Sequence, residues 1–269
     1  ALSGHHDERL ETARRLGADL AVNSARQDLP AALARLGEAK LDVYVDAYPP
    51  FIREEGGALE GPYVDAFRQL VAAKGIQVIF KLMPAKRQMS ALRQQISSCG
   101  LAMHFSAQGA ETLRYVARVA PITLAVYAVD DSIGPLSNIE ALRNYRVGAM
   151  DVAELNELLD NASIRYQPLT KANSAVAMLQ AGRFDLLISD IMPELVVPPS
   201  NKSKIRRVMV LARVERWLAC NPQLPSEQIN ALRDALRQGV FADSVADIWQ
   251  RDGLRSVYDH VRSEWSALP

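Results

Sequence analysis

Residues 48–67 read YPPFIREEGGALEGPYVDAF, and Tyr48 and Phe51 within them are side chains suited to stacking on a small molecule. They bracket Pro49 and Pro50, whose rings fix φ and stiffen the chain, directly after the alternating run LDVYVDA. A strand that ends in a stiff turn aims its aromatics one way, either at a ligand or back onto the core. His104 and Ser106 close a second apolar run, CGLAMHF, where a strand end can offer hydrogen bonds to a ligand or simply satisfy its neighbours. Ser189 and Asp190 close a third, FDLLISD; a carboxylate there can take a substrate ammonium group, or open the turn before IMP. Asp151 follows YRVGAM and either N-caps the next helix or leaves that helix N-terminus to an anion. Arg87, in KRQ at 86–88, either reaches into a cleft or lies solvated on the surface.

Other chemistries find no support. His5, His6 and Asp7 are adjacent on a terminus, where neighbouring side chains seldom converge on one ion, so no metal is expected. No G-x-S-x-G and no Cys, His and Asp arrangement forms a nucleophile, so no enzyme is expected. The 31 basic and 31 acidic residues cancel, which removes the long-range field that draws proteins to nucleic acid. No apolar run approaches the roughly 20 residues of a membrane span, and the N-terminus lacks the order of a signal peptide. The chain is thus expected to be cytoplasmic, or periplasmic with its leader removed. Cys99 and Cys220 lack zinc-like spacing and read first as two separate buried thiols.

The elements that must position these residues alternate. With 269 residues, 49% of them hydrophobic, the chain can bury two cores more naturally than one. From residue 41, LDVYVDA reads as a strand, GPYVDAFRQLVAAKG as a helix ending at Gly75, IQVIFKLM as a strand, AKRQMSALRQQI as a helix and CGLAMHF as a strand. Strand alternating with helix predicts a parallel sheet in layers. VARVAPITLAVYAV at 116–129 is long for a strand. The rhythm then restarts with YRVGAM, DVAELNELLDN, IRYQPL, KANSAVAMLQAGR and FDLLISD. RRVMVLARVERWLACNP at 206–222 is a second long extended run, and SEQINALRDALRQGV predicts a helix with Ile229, Leu232, Leu236 and Val240 on one face. Two long crossings around an inserted lobe predict a discontinuous first domain, with the ligand beside the C-terminal strand ends.

In that order, YPPF, GALEGPYVDAF, RVGAM, AMLQAGRFDLLISD and WLACNPQLPSEQINALRDALRQ resemble a type 2 periplasmic solute-binding protein of the polar-amino-acid cluster, over residues 41–252. The resemblance implies an α/β fold of two lobes, each a mainly parallel sheet flanked by helices and joined by two crossover strands. Lobe 1 would be 41–128 with 213–269, lobe 2 the inserted 129–212, with hinges near 128–132 and 212–216. It implies a monomeric receptor that closes on a small polar solute, amino-acid-like or an organic acid, with the membrane subunits of an ABC importer as partners. Tyr48, Phe51, Arg87, His104, Ser106, Asp151, Ser189 and Asp190 would hold the ligand, with no cofactor. The family's Thr-x-x-Arg carboxylate clamp is broken, since Gly109 and Thr112 stand there; Arg114 is the nearest replacement. The same fold makes the strands of Cys99 and Cys220 neighbours and implies a disulfide, given an oxidising compartment.

Residues 1–38 are similar instead to part of the nucleotide-binding half of medium-chain alcohol dehydrogenases, through RRLGAD and AVNS. No G-x-G-x-x-G follows a strand, so no pyrophosphate seat is expected. This segment reads as a fused fragment within 1–40. Three readings compete with the receptor: a dehydrogenase remnant, a catalytic variant of the receptor fold, and a ligand-sensing domain of a signalling protein.

Overall fold

The computed structural model describes residues 2–4, 7–15, 21–23, 40–195 and 205–265. A short unit comes first: β1 (Leu2–Gly4) pairs in parallel with β2 (Ala21–Asn23), with α1 (Asp7–Arg15) between them in sequence. The rest is built on one eight-stranded sheet. In chain order its strands are β3 (Leu41–Val45), β6 (Val78–Leu82), β7 (Ser98–His104), β8 (Arg114–Ala128), β9 (Val147–Met150), β10 (Tyr166–Leu169), β11 (Leu186–Ser189) and β12 (Arg206–Cys220). A separate hairpin joins β4 (Arg53–Glu55) to β5 (Ala58–Glu60). The helices are α2 (Pro62–Ala72), α3 (Ala85–Gln94), α4 (Ala107–Ala110), α5 (Ala153–Asn161), α6 (Ala172–Gln180), α7 (Ser226–Ala235), α8 (Ala246–Arg251) and α9 (Arg255–Trp265).

The strand order is β10-β9-β11-β8-β12-β7-β3-β6. β3, β6 and β7 run parallel at one end, and β9, β10 and β11 run parallel at the other. Between them β8 and β12 lie antiparallel to each other from Arg206 opposite Ala128 to Cys220 opposite Arg114. The inner strands β9 and β11 are buried on both faces, which is why VGAM and LLIS read as apolar runs, whereas the edge strand β6 leaves Ile79, Lys81 and Leu82 exposed. Along β8 and β11 the side chains alternate between cores: Leu124, Val126, Leu186 and Ile188 face one cluster, Ala125, Tyr127 and Leu187 the other. In the first half a large cluster under α2, α7 and α8 contains Val43, Phe67, Leu232 and Trp249, and a smaller one on Leu92 and Tyr44 lies against α3.

The two long strands are the crossings that the sequence predicts, but the first crossing point differs. β8 leaves the first core at Ala120 and enters the second at Ile122, well before the boundary expected after residue 128. The polar break at 130–138 marks the end of the strand and not its passage between cores. On β12 the change falls between Val214 and Leu218. The pairing of β8 with β12 shifts register at Arg207/Met209, Val210/Ala212, Arg216/Trp217 and Leu218/Ala219. Bulges raise local twist, and here they turn one sheet into two differently oriented halves.

Two local features depart from the sequence reading. The glycine-rich stretch is a hairpin: Gly56 and Gly57 both adopt positive φ, +58° and +82°, as a two-residue hairpin turn demands. α7 stops at Ala235 although its apolar period runs on to Val240. At Gly239, φ +54°, the backbone lies too close to Val119 for any side chain, and the Val240 amide donates to the Val119 carbonyl at 3.0 Å. That strand contact outcompetes one more helical turn.

Cys99 and Cys220 face each other in the β7–β12 register, are both fully buried, and form a disulfide that closes 121 residues of chain. A loop of that length removes much entropy from the unfolded chain. The double substitution Cys99→Ala and Cys220→Ala should lower unfolding free energy by about 4 kcal/mol in urea titrations, whereas an unchanged midpoint would show that the bridge restrains little.

Candidate functional site

The stiff turn after β3 holds Tyr48 from both sides. Its amide donates to Ile52 O at 2.9 Å, and its carbonyl accepts from the amides of Phe51 and Ile52, each at 2.9 Å, around a cis Pro49–Pro50 bond. Phe51 is buried, with its ring 5.1 Å from Tyr63 and 6.1 Å from Trp249. Gly61 makes this packing feasible: at φ +113° it lets the start of α2 press on the Phe51 carbonyl, which accepts from the Tyr63 amide at 3.2 Å. The glycine approach therefore serves the aromatic wall directly.

From the second half, β11 delivers Asp190. Ser189 Oγ accepts from the Ile191 amide at 3.0 Å, and this turns the chain just after the strand. The Tyr48 hydroxyl meets the Asp190 carbonyl oxygen at 3.5 Å, and Arg216 Nη2 on β12 lies 3.9 Å from the Asp190 carboxylate. Both charged side chains are almost wholly enclosed, 3% and 9% exposed for Asp190 and Arg216. Burial, seconded by the negative charge of Asp190, pushes the Tyr48 phenol well above its ordinary range, with Arg216 pulling the other way. Burial likewise raises Tyr63, against the pull of Arg216. Both phenols are therefore neutral hydrogen-bonding groups at any physiological pH.

These residues border a cavity of about 60 Å³ between the halves. Tyr48, Phe51 and Tyr63 line it from the first half, Asp190 and Ile191 from the second, and Thr123 from the crossing strand; Arg207 on β12 and His260 on α9 also border it. Of the candidates read from sequence, Tyr48, Phe51 and Asp190 are brought together here. Ser189 is one residue away and committed to the turn.

The remaining candidates go elsewhere. Arg87 is exposed on the first turn of α3, whose N-terminus is held by Asp46 Oδ2 accepting from the Ala85 amide at 2.9 Å. Ser106 is the N-cap of α4, accepting from the Gly109 amide at 3.0 Å. The carbonyl of His104 accepts from the Tyr115 hydroxyl at 3.1 Å. That hydroxyl fills the space a side chain at Gly109 would need, and Thr112 Oγ1 bonds back to the Gly109 carbonyl at 3.4 Å. The broken clamp is thus a corner packed by its own hydrogen bonds. Arg114 does not replace it: it pairs with Cys220 at the opposite end of the stretch that leads to Ala120, about 20 Å along the strand at ~3.3 Å per residue. Asp151 is not the cap of α5. Val152 takes that position, and the exposed Asp151 carboxylate accepts from Asn156 Nδ2 at 2.7 Å.

Arg216 and Tyr63 were not read from the sequence. Arg216 did carry a signal: in RVERWLAC it shares the strand period of Val214, Leu218 and Cys220, so a charge falls on a buried face. Tyr63 sits on the apolar face of α2 and is indistinguishable there from a core residue. Among the described residues no group of three or more His, Cys, Asp or Glu could hold a metal, and no helix is long and apolar enough to cross a membrane.

No family model matches the chain, and no curated protein matches it. Solved structures do, and the fold they share with it is that of the two-lobed periplasmic-binding-protein-like structures. A histidine kinase sensor domain with similarity to periplasmic binding proteins superposes with a TM-score of 0.62 at 19% identity, over 84% of this chain and 96% of that one. A mutant of ArgBP from T. maritima gives 0.61 at 15% identity, over 87% and 98%. The arginine-, lysine-, histidine-binding protein ArtJ from Geobacillus stearothermophilus gives 0.62 at 16%, over 79% and 94%. The dehydrogenase likeness of residues 1–38 gains no support from these comparisons; the parallel pairing of β1 and β2 is common to βαβ units generally.

Two outcomes are expected. Arg216→Met should destabilise the fold by about 3–5 kcal/mol because it strips a buried carboxylate of a partner, while adding Asp190→Leu should recover most of the loss, as read by denaturant unfolding. A raised phenol pKa favours the folded state as long as the phenol stays protonated, so its contribution is complete below pH ~10 and lost as pH climbs further. Tyr48→Phe should accordingly flatten the alkaline fall in thermal stability.

Proposed function

We propose that the chain is a solute-binding receptor that closes two lobes on a small polar ligand and serves an ABC importer. The observation that carries this reading is the meeting of Tyr48 from one half with Asp190 from the other, at the place where β8 and β12 change cores. Contacts that exist only when the halves approach are what lets a ligand select the closed state. Bending is assigned to Ala120–Ile122 on β8 and Val214–Arg216 on β12, the positions between the cores. ArgBP and ArtJ, which share the fold, are named for the amino acids they bind, and this supports a solute of comparable kind. The Cys99–Cys220 disulfide fits an oxidising, extracytoplasmic location. Binding without chemistry is the activity assigned, and the partners are the solute and the importer's membrane subunits.

A second reading has its own support. The histidine kinase sensor domain has the same fold, so the chain serves equally as the ligand-sensing part of a signalling protein. Both readings require closure on a ligand.

Native mass spectrometry of freshly purified protein should reveal a retained small solute, and scattering should show the radius of gyration falling when that solute is added back to stripped protein. Protein that carries no solute and never compacts would count against both readings.

A further inference from the structure

We propose that the solute is a small organic carboxylate, held by the Arg207 guanidinium at the mouth of the cavity with its carbon skeleton against the apolar wall. This rests on reading the cavity between the halves as the solute site.

Charge is the first argument. Asp190 is the one carboxylate among the described residues bordering the cavity, and the buried guanidinium of Arg216 lies 3.9 Å from it. A ligand ammonium placed on Asp190 would share that carboxylate with a second cation inside a poorly solvated space, where like charges repel strongly. Arg207 is different: it is exposed at the rim and makes no ion pair among the described residues. Arg207 therefore brings to the cavity border a cation that pairs with no carboxylate among the described residues. A planar guanidinium is suited to a carboxylate through two parallel hydrogen bonds.

The wall supplies the rest. Thr123 supplies a hydroxyl at the cavity border to orient a carboxylate. The rest of the border includes the apolar side chains of Phe51, Met192, Leu195, Val257 and Val261. An inorganic anion gains nothing from such a surface, whereas an aliphatic skeleton does. The volume of about 60 Å³, against roughly 300–1,000 Å³ for ordinary ligand pockets, favours a ligand of few heavy atoms. The carboxylate-binding charge thus comes from the start of β12, and not from the corner at Gly109 and Thr112 that is packed by its own hydrogen bonds.

Calorimetric titration of the full chain with sodium propionate, pyruvate and succinate, beside L-arginine and L-lysine, tests this. At least one carboxylate should bind at least tenfold more tightly than either cationic amino acid. Arg207→Gln should weaken that binding at least tenfold, and Arg207→Lys should restore part of it; since Arg207 is exposed, both variants should unfold at the wild-type urea midpoint. Binding of L-arginine or L-lysine without any carboxylate would overturn the carboxylate assignment and leave the receptor reading intact. Carboxylate binding that Arg207→Gln does not change would overturn it too. Heat from neither class would do the same, and absence of compaction with every probe would then remove the receptor reading as well.

Discussion

The antiparallel pairing of β8 with β12 is the constraint on which the rest of this molecule depends. Each strand is 15 residues long, and together they belong to both halves, so every other strand of the eight-stranded sheet lies to one side or the other of a single pair. A flat ladder of that length would align the two parallel trios in one plane. The four register shifts increase its twist instead. The cores on either side consequently close over different helices, and the junction between them becomes the natural place for a cavity.

At that junction the side chains are electrostatically interdependent. Asp190 and Arg216 are too enclosed to be solvated separately, so each needs the other, and the neutral Tyr48 hydroxyl adds a bond to the adjoining carbonyl. One member comes from the end of β11, one from β12 and one from the turn after β3. Movement of the halves against each other must disturb all three at once.

Much of this was legible in the sequence because burial on both faces leaves a plain mark. Within FDLLISD and VARVAPITLAVYAV the stretches LLI and LAVYAV are apolar without interruption, whereas the edge strand β6 carries Lys81 and leaves Ile79 and Leu82 exposed. The apolar period of α2 gave its core face, Val64, Phe67 and Val71, residue by residue. What failed to show was the competition for polar groups. Asp151 has the right type to cap α5, yet the helix starts one residue later than a cap at 151 requires, and the carboxylate finds Asn156 instead. Ser106 has the right type and place for a ligand contact, but an orphan amide at Gly109 is nearer. Local hydrogen bonds of this kind win because the partners lie within five residues in the chain, so little entropy is lost in bringing them together.

By itself the sequence determined the alternation of strand and helix, the two long crossings, the stiff aromatic turn at Tyr48 and the position of Asp190 at a strand end. These follow from periodicity and from the fixed φ of proline, both properties of neighbouring residues. Only the tertiary structure decided which strand end faces which, that Arg216 stands beside Asp190, that Cys99 lies opposite Cys220, and that Arg207 and His260 border the same cavity. Those relations join residues far apart in the chain, and they are settled by the register and twist of the β8–β12 pair, which no local pattern records.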